Sequence, residues 1–265
     1  MSEFEKLRVV IGYEFLKHIR RKRLYVILGL ALVAELVVII GVPALMGGYP
    51  SSVMVMAALL TVGPVLVAIG AVFFAGDAIA GEFESKTGFI LFTNPVRRIT
   101  LVTGKYLASC AAVMLLVAFS YIIISISLMT IYGEVPIETT KSFGLALLYA
   151  ASVLSVTFFF GSVAKGAMGA TVMTLLLIIV IFGIVESVLI FADKPYWFLQ
   201  SAGGDSVALV YANTELLMEG FMPMGGMGML SFKTPDIGLT TLAMVIYLVV
   251  GFALSIWISG RRQLA

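Results

Sequence analysis

Residues 24–46 read LYVILGLALVAELVVIIGVPALM, an apolar run holding one charge, Glu35, with Arg20, Arg21, Lys22 and Arg23 crowded at its start. A helix of this length covers the roughly 30 Å hydrocarbon core of a bilayer at about 1.5 Å per residue. In lipid the backbone must satisfy its own hydrogen bonds, so a span is a helix or part of a closed barrel, and continuous rather than alternating apolarity selects the helix. Five more such stretches follow: Val53–Ala75, Tyr106–Tyr132, Ser142–Val163, Ala167–Phe191 and Ile237–Ser259. Composition agrees, with 61% hydrophobic and 12% charged residues over 265 positions and a mean hydropathy of +1.10, where a soluble domain carries about 25% charge. The expected fold is all-α: a polytopic membrane protein with six transmembrane helices in a single domain, 1–265.

Charge placement orients these spans. Of the 17 Lys and Arg residues, all but Lys141, Lys194 and Lys233 fall on one side, before Leu24, between Ala75 and Tyr106, at Lys165, and at Arg261 and Arg262. The positive-inside rule makes that side cytoplasmic and puts both termini there. A net charge of +2, concentrated at membrane ends, gives no footprint for nucleic acid. Before the first span, Phe4, Leu7, Ile11, Phe15 and Ile19 recur at helical spacing, with Glu5, Arg8, Glu14, Lys17 and Arg21 among them. This predicts an amphipathic helix over 1–23, lying along the inner leaflet of the lipid membrane or packed on protein, with the basic cluster favouring the former.

Residues 192–236 form the longest stretch outside the spans, too long for an unstructured connection. Pro195 to Leu199 is aromatic enough for the interfacial belt, and Val207–Met218 has helical spacing, so short interfacial or re-entrant helices are expected there. Met222, Met224, Met227 and Met229 offer thioethers that suit Cu(I), but the glycines between them fit a flexible apolar loop better. Glu35, about 16 Å into the first span, stands near the bilayer midplane, where a carboxylate either serves a pathway or is held neutral by a neighbouring helix. Glu186 is expected near the far interface. Pro64, after Gly63, should kink the second span. Cys110 is the single cysteine and His18 the single histidine, so a cysteine cluster or a histidine dyad has nothing to build on.

The segment between the second and third spans carries the chemistry: Gly76-Asp77-Ala78-Ile79-Ala80-Gly81-Glu82-Phe83-Glu84-Ser85-Lys86-Thr87-Gly88, then an apolar piece from Phe89, Pro95-Val96-Arg97-Arg98, and Gly104-Lys105 at the membrane. An acidic rim beside Phe89, Ile90, Leu91 and Phe92 fits docking into a groove on another protein; a solvated loop fits the residues equally. In order and spacing, Asp77, Gly81, Glu82, Glu84, Thr87, Pro95, Arg98, Gly104 and Lys105 resemble the cytoplasmic loop of ABC-2 type transporter permease subunits. The likeness extends to six spans, an amphipathic N-terminal helix and a long segment before the last span. Lys86 and Gly88 depart from it, standing where the family often has Gly and Leu.

The resemblance implies that 76–105 is a cytoplasmic coupling loop with a coupling helix. Asp77, Gly81, Glu82, Glu84, Lys86, Thr87, Pro95 and Arg98 would then meet an ATP-binding-cassette ATPase subunit. Independently of the resemblance, the midplane carboxylate of Glu35 and the kink at Pro64 are the residues expected to border a translocation pathway. The chain shows no GxxxxGK[ST] phosphate loop, so ATP and Mg belong to that partner and the chain itself holds no cofactor. The resemblance also implies a second permease copy, identical or related, a plasma-membrane location, and export. Three other readings are an ATPase-independent carrier, an intramembrane enzyme and a passive scaffold. The carrier calls for more intramembrane ionisable groups in symmetric halves, and the enzyme for paired polar residues at one depth.

Overall fold

The computed structural model describes residues 2–20, 22–61, 63–76, 78–81, 97–211 and 235–261. Its elements are α1 (Glu3–Arg20), α2 (Arg23–Met46), α3 (Val53–Leu60), α4 (Gly63–Ala75), α5 (Arg98–Tyr132), α6 (Glu138–Val163), α7 (Ala167–Leu175), a π-helical turn (Leu176–Ile181), α8 (Phe182–Phe191), α9 (Gln200–Leu209) and α10 (Ile237–Arg261). They give six helices long and apolar enough to cross a membrane: α2, α3 with α4, α5, α6, α7 through α8, and α10. These are the six expected spans, and among the described residues no strand is present.

Polar and small residues knit the bundle, as they must where lipid removes the hydrophobic drive between helices. The second span, α5 and α6 form its centre, with 60%, 56% and 56% of their apolar stretches buried, while α2, the α7–α8 span and α10 bury only 17%, 11% and 17% and turn most of their apolar surface outward. Phe74, Leu116, Leu154, Phe158 and Met244 fill the main core. Across it, Tyr106 donates to the Ala151 carbonyl at 2.9 Å. Tyr121 donates to Ser142 at 2.6 Å, which passes a bond to the Val207 carbonyl at 2.6 Å. Gly251 brings α10 onto α6: a Cβ there would stand 3.0 Å from the Ser155 carbonyl carbon.

The second span is broken rather than kinked. Helix α3 stops at Leu60, Thr61 leaves the helical region at φ −75°, ψ 44°, and α4 starts at Gly63. A proline at 64 has no N–H to give the carbonyl four residues back, at position 60, so the break falls one turn before the proline, which takes a place in the first turn of α4. The Thr61 hydroxyl donates to the Ala57 carbonyl at 2.7 Å and closes the open end.

Helix α5 is longer than its apolar stretch. Its 35 residues extend about 52 Å, so roughly 20 Å of helix continues past the hydrocarbon layer. It ends at Gly133, whose φ of 76° closes the helix with a bond to Met129.

After the fifth span, α9 covers Gln200–Leu209, seven residues earlier than the expected helix, whose remainder lies outside the described residues. The sequence Ser201-Ala-Gly-Gly-Asp-Ser206 has low intrinsic helix propensity. Against other helices its small side chains permit close approach instead: a Cβ at Gly203 would lie 2.8 Å from Met244 Sδ and 3.2 Å from Tyr149. Thus α9 is tucked against α6 and α10, and Gln200 donates to Ser152 at 3.1 Å.

Candidate functional site

The basic end of the bundle gathers α1, the end of α4, the start of α5, the start of α7 and the end of α10. Five elements therefore meet around the described ends of the segment between the second and third spans. Gly81 and Arg98 are placed. Asp77, Glu82, Glu84, Lys86, Thr87 and Pro95 lie outside the described residues, as do Met222, Met224, Met227 and Met229.

The incoming end of α5 is clamped from two sides. Arg98 opens the helix, and its Nη1 donates to the Ser259 and Gly260 carbonyls, each at 3.4 Å. A cation is favourable there because those carbonyls belong to the C-terminal end of α10. Two residues on, Thr100 Oγ1 donates to Glu3 Oε2 of α1 at 3.0 Å. Gly104 then lets α1 close on α5, since a Cβ would fall 2.5 Å from Val10 Cγ1.

Lys105 completes the joint with an ion pair to Glu14 at 2.8 Å, and Lys17 holds the other carboxylate oxygen at 3.1 Å. Glu14 is 6% exposed and Lys105 3%. Burial pushes the Glu14 carboxyl up, but Lys105 and then Lys17 outweigh it and hold it below the usual range.

Sequence reasoning left Glu14 among the polar residues of an amphipathic helix. The ion pair joins residues 91 positions apart, which no local pattern reveals. A signal existed in the spacing: Leu7, Ile11, Glu14 and His18 share one helical face. His18 is part of the packing, its ring edge-on to Phe74 at 5.4 Å and its Nε2 3.5 Å from Ser109. Phe15 and Ile19 pack on the main core, so much of the apolar stripe read as lipid-facing rests on protein. Phe4, Val9, Tyr13 and Leu16 stay exposed on α1.

The outgoing end of α4 abuts the fifth span. At Gly76 a Cβ would stand 2.2 Å from Thr171 Oγ1 and 2.8 Å from the Val72 carbonyl oxygen. Ala80 packs with Ala164 and Ala170 in a small cluster, so the short turn between α6 and α7 sits against the start of the loop. A displacement of the loop would therefore reach α7 directly at this end and α1, α5 and α10 at the other.

Glu35 and Pro64 stand apart from this region. The Glu35 carboxyl is 2% exposed and hydrogen-bonds Ser120 of α5, an interhelical tie. Glu35→Gln keeps that bond and is expected to change stability by less than about 1 kcal/mol, whereas Glu35→Leu strands the hydroxyl and costs about 1–2 kcal/mol; thermal unfolding in detergent measures both. Glu186 is half-buried and faces Asp205 of α9. The sequence reading had placed Glu186 at an interface and had passed over Asp205. Among the described residues no three His, Cys, Asp or Glu side chains come together as a metal site.

Six spans, with the two ends of the segment joining the second to the third held by neighbouring helices, define a multi-pass membrane protein. The chain belongs to the ABC-2 family transporter proteins: the family model matches residues 8–196, from α1 through the fifth span and the turn beyond it. It is therefore a membrane permease of an ABC transporter. No curated protein matches the chain.

Proposed function

We propose that residues 76–105 are the seat of a cytoplasmic ATPase subunit and that this chain exports its substrate when ATP closes that partner. The observation that carries the reading is the anchoring of both loop ends. The incoming helix is bound to α1 by the buried Lys105–Glu14 pair and to α10 by Arg98, and the outgoing end rests on Thr171. A docked partner that moves the loop thereby bears on four elements together. It biases the bundle between inward and outward openings only by the difference in its docking free energy between the two. Asp77, Glu82 and Glu84 supply the acidic rim of the surface, with Lys86, Thr87 and Pro95 beside it. ATP and Mg reside in the partner.

Both termini lie in the cytoplasm of a plasma-membrane protein, on the side that holds all but three of the Lys and Arg residues. Two permease chains work with two ATPase subunits, and an apolar pathway suits an amphipathic or hydrophobic substrate. Co-expression with candidate ATPase subunits tests the reading. The wild-type chain is expected to retain one through purification in detergent, and Glu82→Lys with Glu84→Lys to lower the retained amount at least about tenfold, since like-charge contacts cost several kcal/mol. A charge-reversed chain that stays monodisperse and keeps its ATPase contradicts the docking surface.

A further inference from the structure

A cavity of about 380 Å³ lies among α4, α6, the fifth span and α9, of a size that holds small ligands. Two irregular stretches border it: Thr61, at the break in the second span, and Ile178 with Ile179 of the π-helical turn. Broken backbone at membrane depth is tolerated where it lines such a space. Thr61 stands eight residues beyond Val53, and Gly183, also in the lining, eight before Phe191. The cavity therefore sits about 12 Å below the end of the bundle opposite the basic one. Along α9, Ser201, Gly204, Asp205 and Ala208 recur at helical spacing and all line it. Asp205 there faces Glu186 of α8, and among the described residues neither carboxyl has a cationic partner. The hydroxyls beside them are idle too. Ser201 Oγ is buried with no hydrogen-bond partner. Tyr149, 4% exposed, lines the cavity within electrostatic reach of both carboxyls, and its hydroxyl is likewise unbonded among the described residues.

Two carboxyls and two hydroxyls thus offer acceptors with no cation to serve them, an arrangement that costs stability within a membrane unless a ligand compensates it. The remaining walls are apolar, and Val65 and Ile179 are exposed at the rim. A metal ion would find no third His, Cys, Asp or Glu beside the pair among the described residues. A protonated amine brings three donors of its own, and apolar walls suit a hydrocarbon body attached to it. We propose that this cavity binds an amphipathic amine, its ammonium between Asp205 and Glu186 with Ser201 and Tyr149 accepting from it, and its body along Val65 and Ile178. As the cargo site of the proposed exporter it narrows the substrate to cationic amphiphiles, a step that rests on that proposal. Binding itself depends on neither an ATPase nor the direction of transport.

The full chain without an ATPase, in phosphatidylcholine nanodiscs, is dialysed against tritiated phenylethylamine, with empty nanodiscs as background. Wild type is expected to bind saturably, and unlabelled amine to compete where 2-phenylethanol, its neutral counterpart, does not. Asp205→Asn should weaken binding at least about tenfold, through loss of a hydrogen bond between charged groups. Val65→Trp, which fills the rim and leaves both carboxyls, should weaken it several-fold; thermal midpoints near that of wild type show that both chains are folded. Burial, and after it Glu186, push the Asp205 carboxyl up, so protons compete with the amine. Binding should therefore strengthen between about pH 6 and pH 8 in wild type and be flatter in Asp205→Asn. Glu186 of α8, Tyr149 of α6 and Tyr196 are the titratable groups beside Asp205 among the described residues. Absence of saturable binding overturns the proposal, as does binding that Asp205→Asn leaves unchanged or that 2-phenylethanol displaces. Displacement by sodium or potassium ions at the concentrations where unlabelled amine competes would make the site one for an inorganic cation and overturn it too. A chain that binds the amine yet retains no ATPase would contradict the coupling proposal and support this one.

Discussion

Lys105→Met in the full chain is expected to cost about 3 kcal/mol of stability and to loosen α1 from α5. Removing one member of a buried ion pair typically costs about 3–5 kcal/mol because the remaining charge stays buried. Here Lys17 still holds Glu14 Oε2 at 3.1 Å, so the lower end applies. Adding Glu14→Gln removes the stranded charge, and the double variant should recover most of the loss, a coupling that a cycle of the four chains measures. A double variant whose loss equals the sum of the two single losses would mean that the pair contributes nothing of its own.

The same carboxylate gives the joint a pH dependence of known sign. Glu14 is depressed in the folded chain below the ordinary value of 4.5, so its contribution is fully present above that value and is lost as the pH falls through the folded one. Acid below about pH 4.5 should free α1 in the wild type. Glu14→Gln, with no proton to take up, should show a flatter profile in hydrogen exchange of α1.

Gly76→Ala is the second change with a large expected effect. The new methyl would meet Thr171 Oγ1 at 2.2 Å and the Val72 carbonyl at 2.8 Å, and threonine, branched at Cβ, has few rotamers to yield with. Overpacking of this kind costs about 1–3 kcal/mol. Thr171→Ala alone loses chiefly a bond to the Ala167 carbonyl, a few tenths of a kcal/mol to about 1. Made together, the two should cost clearly less than their sum, since removing the hydroxyl opens space for the methyl while the clash with Val72 persists. Strict additivity in thermal unfolding would show that the end of α4 and α7 do not press on each other. In the proposed transporter, Gly76→Ala should also lower substrate-stimulated ATP hydrolysis more than it lowers ATPase co-purification, because the docking surface is intact while the joint to α7 is displaced.

What the sequence revealed and what it hid divide along a physical line. The spans were legible because each is a long local run: Leu24–Met46 and Ile237–Ser259 fall within a residue or two of α2 and α10. Features made by pairs distant in sequence were not. Glu14 and Lys105 each look like a residue at a membrane edge until α1 folds back on α5, and nothing in the local sequence around Glu186 announces Asp205 of α9 beside it. The break at Thr61 was half legible: the proline announced a disturbance, but its missing N–H acts four residues upstream. Helix α9 misleads for a different reason, since Gly203 and Gly204 disfavour helix in water and favour it where two helices must touch.

The loop motif points to a partner by resemblance, and its anchored ends give that partner something to move. A photo-crosslinking amino acid at position 83, between Glu82 and Glu84, tests the docking most directly when the chain is co-expressed with its ATPase and irradiated in membranes. The account predicts an adduct with the ATPase subunit from position 83 and none from Ile137, an exposed site between α5 and α6 at the opposite end of the bundle. An ATPase that co-purifies yet crosslinks only from position 137 would contradict it.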